Sequence, residues 1–231
     1  MSYVGVAVLL MSRRPPLPPV QVAAAYAVYG PRTVLVLARP RTAPPLAPGA
    51  AADAANLPSR SVVQEFVLRE DGPVGGAAGA TAAGAAAGSW LLSRDLTLAP
   101  SAKTFAPANL RASAGNAAYR CLVERWLDAK FTLRYTGAMV PDVHHMLVKG
   151  QGVFCNALSP QAPPKLRLLY EVLPLAFVVE AAGGGSTVDG GGSALAQRVG
   201  NSDARCGVCL GSREEVRNAG EAMAGGSALN A

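Results

Sequence analysis

Aromatic residues make up only 6% of the 231-residue chain and charged residues 16%, so its 50% hydrophobic content is inflated by alanine and less of it packs densely than the figure suggests. The length suits a compact core with loose insertions. There are four cysteines. Cys121, Cys155, Cys206 and Cys209 are too scattered for the disulfide framework of a secreted domain, which leaves a reducing compartment as the default. Cys206 and Cys209 form a CxxC with no second pair and no suitably spaced histidine, inside the apolar run "CGVCL"; they read as buried thiols in a strand. No apolar run reaches the roughly 20 residues of a membrane span. "YVGVAVLL" is too short, and arginines follow it instead of preceding it as in a signal peptide, so it reads as a strand and no targeting segment is visible. A basic block is also missing. The net charge of +6 and pI near 9.4 go with arginines spread along the chain, which favours scattered anion contacts over a nucleic-acid stripe.

Among the elements present, "VQVAAAYAVYG" predicts a short helix, with Pro19 at its start and Gly30 at its end. "TVLVLA" (33–38) predicts a central strand covered on both faces. Residues 40–59 lack periodicity, "VVQEFVL" predicts a brief strand, and "GPVGGAAGATAAGAAAGS" reads as a disordered Ala/Gly-rich insertion. In "NAAYRCLVERWLDAKF", Tyr119, Leu122, Val123, Trp126 and Leu127 recur at helical spacing behind an Asn116 cap. "FTLRY" and "GVFC" predict strands, and Pro141 and Asp142 fit the first turn of a helix running to about Lys149. "LRLLYEVLPLAFVVEAAGG" has a helical end closed by Gly183, "GGGSTVDGGGS" reads as a loop, and "CGVCLGSREEVRN" reads as strand then helix, with Ser212 and Glu215 in capping-box spacing. Strands alternating with helices give an α/β (layered α+β) class, a mixed sheet flanked by helices.

Several blocks in fixed order carry a resemblance: "VAAAYAVYGPRTVLVLA", "FAPANLRA", "KFTLRYTGAMVPDVHHMLVKGQGVF", "SPQAPPKLRLLYEVLPLAFVVEAAGG" and "LGSREEV". Together they resemble the carboxy-terminal half of the class I sugar bisphosphatases. "YGPRT", "NLRA", "RYTGAMVPDV" and "KLRLLYEVLPL" are closer to the sedoheptulose-1,7-bisphosphatase branch than to the fructose-1,6-bisphosphatase branch. The resemblance divides the chain into a remnant of the amino-terminal half (1–40), a variable low-complexity insertion with short strands (41–103), a carboxy-terminal domain (104–216) and a disordered tail (217–231). It implies a metal-dependent phosphomonoesterase that removes the 1-phosphate of a ketose bisphosphate and anchors the other phosphate. The anchor would use Asn109, Tyr135 and Lys165, with Arg134 reaching in from a neighbouring subunit of a homo-oligomer. Gly137, Ala138 and Met139 would let the backbone approach the sugar. A dianionic phosphate does favour a guanidinium fork, an ammonium and neutral donors.

Asn156 takes the place of an aromatic that fructose-type members use at the anchor. The resemblance further implies Mg²⁺, with Glu171 as the one metal-binding carboxylate in this half. The upstream Asp-Pro-x-Asp-Gly-Ser motif has no counterpart, so no complete catalytic set is expected in this chain; it reads as a truncated product or incomplete gene model with nearly all activity lost. The sedoheptulose likeness implies the chloroplast stroma and the reductive pentose phosphate cycle, with the cytoplasm as the alternative. A non-catalytic sugar-phosphate-binding or subunit-association module is the alternative in function.

Taken one at a time, the same residues have plainer explanations. Arg134 and Tyr135 would be a strand-end pair, Lys165 a solvated loop lysine, Asn109 a turn residue and Glu171 a helix-start carboxylate. His144 and His145 are adjacent on a helix and point about 100° apart, so packing is expected of both. The glycine runs 183–185 and 190–192 lack the setting of a phosphate loop and read as turns.

Overall fold

The computed structural model describes residues 4–12, 20–41, 58–69 and 88–224; the Ala/Gly-rich stretch 72–87 and the tail beyond 224 lie outside them. The first of two five-stranded sheets takes β1 (Val4–Ser12), β2 (Val20–Tyr29), β3 (Val34–Pro40), β4 (Ser61–Arg69) and β5 (Ser89–Asp95) in sequence order. Every pair in it is antiparallel.

The helix expected over "VQVAAAYAVYG" is strand β2. Alanine favours helices when packing does not decide, but here Ala24, Tyr26 and Val28 alternate into the core while Ala25 and Ala27 face the other way. That two-residue period and the pairing to strands on both sides override propensity. β3 is central, as expected, but one-sided. Val34, Val36 and Ala38 are buried, and Leu35 and Leu37 are only half-buried.

The second sheet orders its strands β10-β12-β8-β6-β7, with β6 (Thr104–Ala108), β7 (Thr132–Leu133), β8 (Val153–Asn156), β10 (Gly185–Val188) and β12 (Val208–Gly211). β6 runs parallel to both β7 and β8, while β12 is antiparallel to β8 and β10. β9 (Leu166–Arg167) and β11 (Arg205–Cys206) make a separate antiparallel pair. β10 replaces the loop expected for "GGGSTVDGGGS". Its Ser-Thr-Val triplet is strand-forming once β12 offers a ladder, and only the flanking glycines turn.

Helices cover both faces of this sheet. α1 (Ala117–Asp128) begins at Asn116, whose side chain accepts from Tyr119 N. It buries Tyr119, Leu122 and Trp126, with Trp126 against Phe105 at 5.2 Å between ring centroids. Leu127, expected on that face, is instead 59% exposed. α2 spans Met139–Lys149 and ends at Gly150 in the left-handed region, φ 69°. α3 (Leu173–Ala181) follows a π-turn over Leu168–Val172. Residues 173–179 are buried on every side because α3 packs against both sheets. α4 (Arg213–Asn218) starts at Ser212 without a side-chain cap. The expected capping box does not form: Ser212 Oγ accepts from Gly152 N, and Glu215 turns to Arg125 and Trp126 Nε1. α5 (Gly220–Ala224) buries Ala222 and Met223, so this part of the expected tail is packed.

Cys155, Cys206 and Cys209 are buried and Cys121 is exposed. Burial pushes the Cys206 thiol up to about 12, and Cys209 is held well above the usual thiol range by its hydrogen bond with Cys155 and by burial. Both shifts favour the protonated, weakly nucleophilic form of Cys206 and Cys209. No described helix is long and apolar enough to cross a membrane.

Candidate functional site

In the parallel part of the second sheet β6 and β8 end level with each other, and β7, running the same way, ends earlier along β6. Ala108 on β6 sits beside Asn156 on β8, and Phe105 on β6 beside Leu133 on β7. The chain leaving β6 is Asn109, that leaving β7 is Arg134 and Tyr135, and β8 ends on Asn156. Ligands of open α/β sheets bind outside the carboxyl ends of strands, where loops carry side chains past the last ladder bond.

Asn109 holds a left-handed backbone, φ 56° and ψ 37°, which asparagine tolerates better than most residues. Its Nδ2 donates to Ala157 O at 2.8 Å and Ala162 O at 3.2 Å, and its Oδ1 accepts from Arg111 Nε at 3.1 Å. The amide hydrogens thus brace the loop after β8. The guanidinium beside the amide belongs to Arg111, an exposed side chain that sequence reasoning did not single out.

Arg134 is exposed and anchored by its backbone, N to Phe105 O at 2.9 Å. Tyr135 is 46% exposed; partial burial and the charge of Asp142 raise its phenol above the usual value, keeping it a donor. Gly137 has φ 93° and open space where a Cβ would stand, so backbone conformation, not crowding, selects glycine there. Met139 opens α2 and packs against the main core. Lys165 is exposed ahead of β9. It lies three residues past Ala162, so its Cα is within roughly 11 Å of the carbonyl that Asn109 binds. The backbone thus sets Asn109 beside the end of β8 at Asn156, Arg134 and Tyr135 just past β7, and Lys165 on the loop that Asn109 braces.

Glu171 sits in the π-turn and its Oε2 accepts from Arg167 N at 2.6 Å, the helix-start use that its position suggested. Among the described residues no three His, Cys, Asp or Glu side chains cluster as a metal site.

His144 and His145 diverge as expected. His144 Nδ1 lies 3.0 Å from Tyr26 Oη, and its Nε2 4.0 Å from Glu65 Oε2. Glu65 is fully buried on β4 and paired with Arg94 at 3.0 Å. This polar network joins the first sheet to α2, and nothing in local sequence marks it; a lone glutamate in "VVQEFVL" reads as solvent-facing. Asp142 was read only as a first-turn helix residue. It is 4% exposed, accepts from Thr136 N at 2.7 Å and leaves Oδ2 without a partner. A carboxylate six residues after the loop it serves has no signal in the pattern of apolar residues.

Exposed Arg134, Lys165 and Tyr135 stand on loops at this side of the sheet, residue types that suit a phosphate ester, whose dianion favours a guanidinium, an ammonium and neutral donors. Residues 98–224 match the family described as the fructose-1-6-bisphosphatase C-terminal domain. The chain is 38% identical over 209 residues to a chloroplastic sedoheptulose-1,7-bisphosphatase from Spinacia oleracea, covering 90% of this chain and 45% of that protein. It is 40% identical over 134 residues to a class 1 fructose-1,6-bisphosphatase from Pelobacter propionicus, covering 56% of this chain and 40% of that one. A crystal structure from Toxoplasma gondii, assigned as a candidate sedoheptulose-1,7 bisphosphatase, superposes with a TM-score of 0.70 at 36% identity, covering 88% of this chain and 54% of that one. The chain spans about half the length, or less, of the curated relatives it matches.

Proposed function

Because the chain belongs to the fructose-1,6-bisphosphatase C-terminal domain family, we propose that it is the sugar-phosphate-clasping half of a sugar bisphosphatase, of the sedoheptulose type in preference to the fructose type. The observation that supports this best is that Asn109, Tyr135 and Asn156 all lie at or just past the carboxyl ends of the neighbouring strands β6, β7 and β8. The preference for sedoheptulose follows the higher identity to the spinach protein, 38% over 209 residues, against 29% over 208 residues for a fructose-type relative. That likeness also points to the chloroplast stroma over the cytoplasm.

In this reading Tyr135 and Lys165 bind the phosphate that is not cleaved, and Asn109 shapes the floor beneath it. Arg134 reaches into the site of a second copy in a homo-oligomer, and Gly137 to Met139 present backbone to the sugar. The reaction at the other phosphate is metal-dependent hydrolysis in this reading. Mg²⁺ needs about six oxygen ligands in near-octahedral geometry, and Glu171 with its Oε2 already engaged offers one carboxylate. The described residues of this chain do not fit such an ion by themselves. That observation favours a second reading, a module that binds sugar phosphate without hydrolysing it.

Calorimetric titration of the chain with sedoheptulose 7-phosphate and fructose 6-phosphate, without metal, tests the clasp. Saturable binding is expected, weakened roughly tenfold or more by Lys165→Ala, since bonds to charged groups contribute about 1.5–3 kcal/mol. No binding of either ester would sink the proposal. Phosphate release from the corresponding bisphosphates with and without Mg²⁺ separates the two readings: hydrolysis supports the enzyme, and binding alone supports the module.

A further inference from the structure

We propose that Asp142 is a positioning residue for the clasp: from the first turn of α2 its buried carboxylate holds the backbone of Thr136, and so fixes how Arg134, Tyr135, Gly137 and Met139 are presented. This deepens the reading above and rests on it. Residues 134–138 are all exposed and leave a strand of only two residues, so little packing orders them. Their ends are tied by Arg134 N to Phe105 O and by Asp142 N to Ala138 O. Between those ties Thr136 Oγ1 accepts weakly from Ala138 N at 3.4 Å, and the short bond is Thr136 N to Asp142 Oδ1 at 2.7 Å.

The second oxygen is the telling feature. Asp142 Oδ2 is buried and has no hydrogen-bond partner, a cost that an apolar residue at this position of α2 would avoid. Fold stability alone does not call for a carboxylate here, whereas a loop that must hold a glycine at φ 93° and a tyrosine at the sheet edge requires an acceptor below it. One effect on the site follows: the carboxylate's charge disfavours ionisation of Tyr135, which keeps the phenol a donor toward a phosphate oxygen.

The test compares the full chain with Asp142→Ala and Asp142→Asn by residue-resolved amide hydrogen exchange and by titration with sedoheptulose 7-phosphate. In Asp142→Ala, exchange at Thr136 is expected to accelerate roughly tenfold or more while the amides of Met146 and Leu147 keep their protection. Asp142→Asn retains an acceptor and should restore most of that protection and of the affinity; a merely space-filling role would not distinguish the two. Unchanged exchange at Thr136 in the alanine variant, or equal damage in both variants, would overturn the proposal. Should the alanine variant lose protection throughout, the asparagine variant decides: local loss at Thr136 confined to it counts against the clamp, and retained protection supports it. If the wild-type chain binds no sugar monophosphate, the functional reading falls, and the exchange comparison still settles the role of Asp142.

Discussion

In the first sheet every strand pairs with its sequence neighbour, all antiparallel, and the side chains of β3 alternate between buried and half-buried. In the second, β6 lies between β7 and β8 as a parallel partner to both, and separate hydrophobic clusters cover its two faces. The difference matters for function. An antiparallel meander sends alternate strand ends in opposite directions, so no one edge collects consecutive carboxyl termini. Parallel strands send theirs to the same side, at the cost of long crossovers, here α1 and α2, which must pack on the sheet. The first sheet is accordingly support, and the second carries the candidate site.

The sharpest way to break that contrast is to remove the covering of the second sheet. Trp126 is fully buried against Phe105, and its Nε1 donates to Glu215 at 2.7 Å. Trp126→Ala should cost about 3–5 kcal/mol, read as a lowered urea midpoint with ligand affinity lost alongside. The neighbouring Leu127→Ala should stay within about 0.5 kcal/mol because that side chain faces solvent. Equal costs for the two would show that α1 packs by a different face.

That pair also marks the limit of what the sequence discloses. Helical spacing located α1 and its Asn116 cap but could not separate Trp126 from Leu127, since residues at the margin of an apolar stripe are assigned by the partner surface. β2 was misread because its alanines are neutral in period and favourable in propensity; the ladders to β1 and β3, which settle it, are long-range facts. β10 was hidden between glycines for the same reason. The candidate site residues Asn109, Arg134, Tyr135 and Lys165 are singled out only by multi-residue blocks, not by any local pattern. Arg111, Asp142 and Glu65 escaped because their meaning lies in partners from other elements, which no spacing rule reaches.

A smaller effect is expected at the junction between the sheets. Glu65 is buried on β4, yet Arg94 is 41% exposed in its side chain, so removing the glutamate frees the arginine to water and leaves Tyr26 and His144 bonded to each other. Glu65→Ala should therefore cost about 1–3 kcal/mol, less than breaking a pair with both members buried. Chemical denaturation measures this. A loss as large as that of Trp126→Ala would place the network, and not α1, at the centre of stability.

The smallest effects carry the most information because they should have opposite signs in the two regions. Burial, chiefly, lowers the pKa of His144 below the usual histidine value, with Arg94, Arg32 and His145 adding to it and Glu65 opposing. A group depressed in this way contributes stability above about pH 6.5, where it is neutral in both states, and loses it as pH falls toward the lowered value. Asp142 is the reverse. Burial raises its carboxyl against the hydrogen bonding of Thr136, so its contribution is full below the usual carboxylate range and declines as pH rises through the raised value. Stability measured relative to wild type should then climb with acid for His144→Gln and climb with base for Asp142→Asn. Denaturant midpoints of both variants across about pH 4 to 8 read the two slopes directly. Slopes of the same sign would mean that the polar network under the first sheet and the carboxylate under the site loop do not answer protons independently.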